Sequence, residues 1–65
     1  MAFVVKLLHS EGAFEPRWVV TTTHGQGFGP REEATVFPDR QPADEEAEAW
    51  MAMTPKVFSV VVEPA

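Results

Sequence analysis

D-R-Q-P-A-D-E-E-A-E-A-W-M-A-M, Asp39 to Met53, decides how the rest of the chain is read. It is rich in Ala, Glu and Met, which are good helix formers. Ala43, Ala47, Trp50 and Met51 fall at i, i+4, i+7 and i+8, one apolar stripe along a helix. Pro42 suits a first helical turn, where its missing N–H costs nothing. Thr54-Pro55 ends the run, because the residue before proline disfavours the α conformation. The spacing predicts one helix over Pro42–Met53.

Outward from this helix the pattern changes to strands. After it, Lys56–Glu63 (K-V-F-S-V-V-V-E) is dense in β-branched residues and is the clearest strand in the chain. Before it, Glu33–Phe37 reads as a short strand ended by Pro38. Gly25–Pro30 (G-Q-G-F-G-P) holds three glycines and a proline and reads as a mobile loop. Arg17–His24 alternates Trp18, Val20 and Thr22 with Val19, Thr21 and Thr23, a half-buried strand. Ser10–Pro16 is a turn, and Ala2–His9 is the first strand. The order is therefore β-β-β-α-β, an α+β fold in a single domain over residues 1–65. The expected arrangement is a small antiparallel meander with one helix packed on one face. The last strand returns beside the first, and Trp18 or Trp50 anchors the helix–sheet contact.

Composition bounds the function. The chain has 65 residues with 45% hydrophobic and 23% charged, ordinary values for a globular domain. A domain of this size buries only about 60% of its unfolded surface, which leaves little room for an internal active site. No cysteine is present, so disulfides, thiolate metal sites and cysteine nucleophiles are excluded, and a reducing cytoplasm is expected. Apolar runs such as Met1–Val5 and Val60–Val62 are too short to span a bilayer. The N-terminal residues lack the pattern of a signal peptide. A net charge of −5 disfavours both anionic membrane surfaces and direct contact with nucleic-acid phosphates.

The charge is uneven. Asp39, Asp44, Glu45, Glu46 and Glu48 face a single base, Arg40, so residues 39–53 carry −4 of the −5. Asp44 and Glu48 are four apart and Glu45 and Glu48 three apart, which places like charges side by side on a helix. Asp44 and Glu45, with Glu46 at the margin, complement the positive end of the helix dipole; Glu48 lies too far along to gain much. Two readings follow: a solvated helix face, or a surface aimed at a basic partner. On the second reading the partner-binding residues are Asp39, Asp44, Glu45, Glu46 and Glu48, with Glu32 and Glu33 extending the face.

Catalytic and cofactor readings are weak by comparison. His9 and His24, with Glu11 or Glu15, lack the close spacing of metal ligands. Thr21–Thr23 and Ser10 have no neighbouring base to activate them. G-Q-G-F-G-P lacks the lysine and hydroxyl of a phosphate-binding loop. The paired carboxylates have no evident cleft to desolvate them. No enzyme activity, metal or cofactor is expected.

The stretches A-T-V-F (Ala34–Phe37), A-D-E-E-A-E-A-W-M (Ala43–Met51) and F-S-V-V-V-E-P (Phe58–Pro64) resemble many small uncharacterised phage proteins over roughly the C-terminal half, and the size, acidity, lack of cysteine and layout resemble small phage-borne inhibitor proteins. In size, acidity and layout the chain is most similar to anti-CRISPR proteins, and it also resembles phage proteins that shut down host RNA polymerase. The resemblance implies a mechanism: carboxylates imitate phosphates and block a basic nucleic-acid-binding surface of a host complex, a CRISPR surveillance complex among them. The implied location is the cytoplasm of a bacterial host. The alternative is a small adaptor or subunit that binds a protein partner through an exposed sheet edge, without electrostatic attraction.

Overall fold

Alternation of side chains along the strands is what builds the molecule. The computed structural model describes residues 1–65. It contains β1 (Phe3–His9), β2 (Arg17–Thr22), β3 (Gly25–Gly29), a 3-10 turn at Arg31–Glu33, α1 (Arg40–Met53) and β4 (Phe58–Pro64). The four strands form one antiparallel sheet in the order β3-β2-β1-β4. The last strand does return beside the first, with Val5 opposite Val62 and Leu7 opposite Val60. Directly opposed residues share a face, so Phe3, Val5, Leu7, Val19, Phe28, Val60 and Val62 fall on one side. Val4, Lys6, Leu8, Trp18, Val20, Val61 and Glu63 fall on the other.

α1 covers the first side. Ala43 and Ala47 are buried and meet Val5, Val19 and Val60 in the core, ringed by Phe3, Leu7, Phe37, Trp50 and Val62. Small alanines let the helix backbone come close to the sheet. The helix begins two residues earlier than the sequence suggests, at Arg40 with Asp39 as its N-cap residue. Pro42 is still within the first turn, where backbone N–H groups have no helical partner. At the other end both the N–H and the hydroxyl of Thr54 donate to the Trp50 carbonyl, each at 2.9 Å. Met51 lies outside the apolar contact, being 52% exposed, and Trp50 is half-buried. No helix is long and apolar enough to cross a membrane.

The third strand is not where the sequence places it. Gly25–Gly29, read as a mobile loop, pairs with β2 along its whole length, Trp18 opposite Gly29 through Thr22 opposite Gly25. Its glycines alternate with Gln26 and Phe28. This period of two is a strand pattern, hidden by the turn preference of glycine. The β2–β3 turn is held by Thr22, whose hydroxyl donates to the Gly25 carbonyl and accepts from the His24 N–H, each at 3.2 Å. Gly25 takes φ +129°, a conformation that favours glycine.

The segment expected as the third strand, Glu33–Phe37, has a different task. β1 and β2 pair only near Lys6–Leu7 and Arg17–Trp18. Beyond that point residues 35–37 fill the gap between them. The Thr35 N–H donates to the Val19 carbonyl at 3.0 Å, and its hydroxyl accepts from Thr21 N–H at 2.6 Å. Phe37 exchanges both backbone hydrogen bonds with Phe3, each at 2.8 Å. These residues therefore complete backbone ladders as a strand does, but at single positions on two different strands, Thr35 on β2 and Phe37 on β1.

Candidate protein-binding surface

Asp39, Asp44, Glu45, Glu46 and Glu48 are all carried by α1 or its cap, and the helix distributes them around its circumference. Successive residues turn by about 100°. Glu46 lies on the flank facing β3. Its carboxylate accepts a 3.1 Å hydrogen bond from Trp50 Nε1, and the Trp50 ring sits 4.6 Å from Phe28. Asp44, Glu48 and Met51 lie on the opposite flank, over β4. Glu45 points away from the sheet, and Asp39 makes no side-chain capping bond.

The helix is not without basic relief. Starting at Arg40 brings that residue one turn from Asp44, with Nε 3.5 Å from Oδ2. Both ends are well exposed to solvent, so the pair contributes about 0.3–0.5 kcal/mol. Of the five acids, Asp44 has a basic partner and Glu46 has Trp50. Glu45 and Glu48 make no ion pair or side-chain hydrogen bond. Glu32 and Glu33 stand apart from this group, on the 3-10 turn. Glu32 lines a shallow hollow together with Val4, Arg31 and Val36, and Glu33 lines another with Arg17, Val20 and Thr22. The structure carries five of the seven candidate acids on one helix and its cap, spread around it rather than gathered on one face, and leaves these two elsewhere.

The edge beside α1 is a second feature. Met51 is only a short turn from buried Ala47 around the helix, yet it is exposed, so the flank away from β3, on the β4 side of the helix, is open to solvent. Along β4 the ladder to β1 uses alternate residues. The Val57 carbonyl accepts from Ser10 N–H at 2.8 Å, and Ala65 N–H donates to the Ala2 carbonyl at 2.9 Å. The odd-numbered residues of β4 therefore point their backbone groups inward. Val60 and Val62 point theirs outward, and no turn or loop bond satisfies them.

A further cluster escaped the sequence reading. On the uncovered face, Glu63 Oε1 accepts from Trp18 Nε1 at 2.9 Å. Lys6 Nζ is 3.8 Å from Oε2, and Arg31 Nη1 is 3.9 Å from Oε1. Both cations also flank the Trp18 ring, at 5.4 and 6.0 Å from its centroid. Two of the five bases, scattered in sequence, thus meet around one tryptophan. Only the strand order could have revealed this, since Lys6, Trp18 and Glu63 come from three different strands.

The histidines have local roles. His9 Nδ1 accepts from Glu11 and Ala13 N–H at 3.2 and 3.3 Å, which closes the β1–β2 turn. Its ring packs edge-on against Phe14 and Phe58, with centroids 5.3 and 5.1 Å away. His24 sits exposed in the β2–β3 turn. Comparison with protein-family models, curated proteins and solved structures finds no match to this chain.

Proposed function

We propose that this protein is an inhibitor-type binding protein that sets its acidic helix against a basic, nucleic-acid-binding surface of a host complex. One observation carries this reading: α1 holds most of the net charge, and Glu45 and Glu48 have no cationic partner within the protein. Carboxylates on adjacent turns lie about 5–6 Å apart. They can receive lysine and arginine side chains that otherwise hold phosphates. The reading is anti-CRISPR-like, with a surveillance complex in a bacterial cytoplasm as one target. It requires no catalysis and no direct contact with nucleic acid or membrane.

The test is capture from a bacterial lysate on the immobilised protein, followed by mass spectrometry. A nucleic-acid-binding complex should be retained at low salt and released as the Debye length shrinks to about 3 Å near 1 M. The triple reversal Asp44→Lys, Glu45→Lys and Glu48→Lys, checked for folding by circular dichroism, should retain none of it. Retention that withstands both salt and reversal would overturn the reading.

The open backbone edge at Val60 and Val62 favours a second reading, an adaptor that recruits a partner strand. Strand pairing through main-chain hydrogen bonds is far less sensitive to salt than charge mimicry, so the same titration separates the two.

A further inference from the structure

We infer that the outer edge of β4 receives an extended basic segment of the partner, which adds to the sheet as a fifth strand beneath the acidic flank of α1. The inference rests on the proposed acidic-helix reading and names the shape of what that helix binds. Its starting point is the edge itself. Val60 and Val62 each present an N–H and a carbonyl outward with no bond inside the protein. The strand has no lysine, and its only proline is the terminal Pro64. Such residues normally protect an edge from pairing.

The surroundings of that edge select the incoming side chains. In an added strand, alternate residues face alternate sides of the sheet. Those on the helix side would lie beside Val60 and Val62, under the flank that carries Asp44, Glu48 and Met51. A lysine or arginine fits this position. Its methylene stem can lie along Met51, and its charged end can reach the carboxylates. Residues on the other side would lie beside Val61, which is 38% exposed and suits a β-branched neighbour. The favoured segment therefore alternates basic and β-branched residues.

A second copy of this chain fits less well. Its own β4 would offer Val60 and Val62, with no cation, to the helix side. It would also bring a second Asp44 and Glu48 towards the first pair, and both copies carry a net charge of −5.

The experiment uses the full chain, labelled with nitrogen-15, and three seven-residue peptides. One alternates lysine and valine, one alternates glutamate and valine, and one has the lysine–valine sequence with its central valine replaced by proline. The lysine–valine peptide should slow amide exchange at Val60 and Val62 by about tenfold or more, the protection expected of a newly bonded N–H. The glutamate peptide should not bind. Glu48→Lys should weaken the lysine–valine peptide by about tenfold. Equal binding of the proline peptide, with shifts confined to Glu45 and Glu48, would overturn the strand inference while leaving the acidic-helix reading in place. Failure of both lysine peptides to bind would count against both. Protection of Val60 and Val62 that grows with protein concentration alone would assign the edge to a second copy and overturn the inference.

Discussion

The two faces of the sheet are built from the same strands by the same alternation, yet they are held in different ways. On the helix side, Val5, Val19 and Val60 are buried beneath Ala43 and Ala47. On the other side Trp18 has no layer above it. Its indole nitrogen is satisfied by Glu63, and its ring is bordered by Lys6 and Arg31. Only 7 of 65 residues are buried, and Val4 is the one side chain among them on the open face, so the chain has material for one extended core, the one beneath α1. The difference teaches how a very small domain uses a large aromatic side chain it cannot bury. It surrounds the ring with long side chains that are themselves paired. Stability should accordingly be concentrated on one face, and substitutions can test that asymmetry.

The largest effect should come from charging the covered face. Val5 is fully buried, and nothing nearby could pair with a carboxylate there. Val5→Asp should leave the chain unfolded, because an unpaired buried charge costs several kcal/mol against a total of about 3–10 kcal/mol for a domain of this length. Leu8→Asp, one strand position class away on the open face, should remain folded. Far-UV circular dichroism with thermal melting reads both. A folded Val5→Asp variant would mean that the covered face is far looser than its packing indicates.

The tryptophans sharpen the same contrast. Trp50 packs against the core and Phe28 and is bonded to Glu46, but it is half-buried, so Trp50→Ala should cost about 2–3 kcal/mol rather than the larger value of a fully buried ring. Trp18→Ala removes cation–π contacts worth about 0.5–1 kcal/mol each at an exposed site, along with partly screened apolar area. It should cost about 1–2 kcal/mol. Urea titrations compare the two. Equal losses would show that the open face contributes as much as the covered one.

The sequence disclosed the covered face better than the open one, for a physical reason. A core is a periodic feature: Ala43, Ala47 and Trp50 repeat with the helix, and Val60 and Val62 with the strand. The Trp18 cluster is a topological feature, and it exists only once β1, β2 and β4 lie side by side. The glycines of β3 were misleading because backbone freedom suggested a loop, whereas two of them serve the pairing of strands. Among the three glycines of β3, Gly25 alone has a φ that disfavours other residues. Gly25→Ala should therefore cost about 1 kcal/mol. Gly27→Ala, where an added methyl would meet nothing within 4 Å, should be close to neutral. Matching losses at both positions would mean that strand flexibility, not the turn, is the reason for glycine here.

The smallest effects lie on the flank of α1 above β4, where the candidate surface meets the scaffold. Asp44 is shared: it pairs with Arg40 one turn before it and is repelled by Glu48 one turn after it. Arg40→Ala should cost about 0.3–0.5 kcal/mol by removing the pair. Glu48→Lys should be neutral or gain a few tenths, because it removes a repulsion and supplies a cation with the favoured acid-first order. The gain is limited by Arg40, which already holds Asp44. The two changes should therefore be coupled. In the Glu48→Lys background a second cation remains beside Asp44, so Arg40→Ala should cost less there than in the original chain. The coupling should shrink as salt rises, since both pairs are exposed. A double-mutant cycle in urea at low and high salt measures it. Additive effects at low salt would show that Asp44 does not connect the two ends of this flank, and that Glu48 stands free to be spent entirely on a partner.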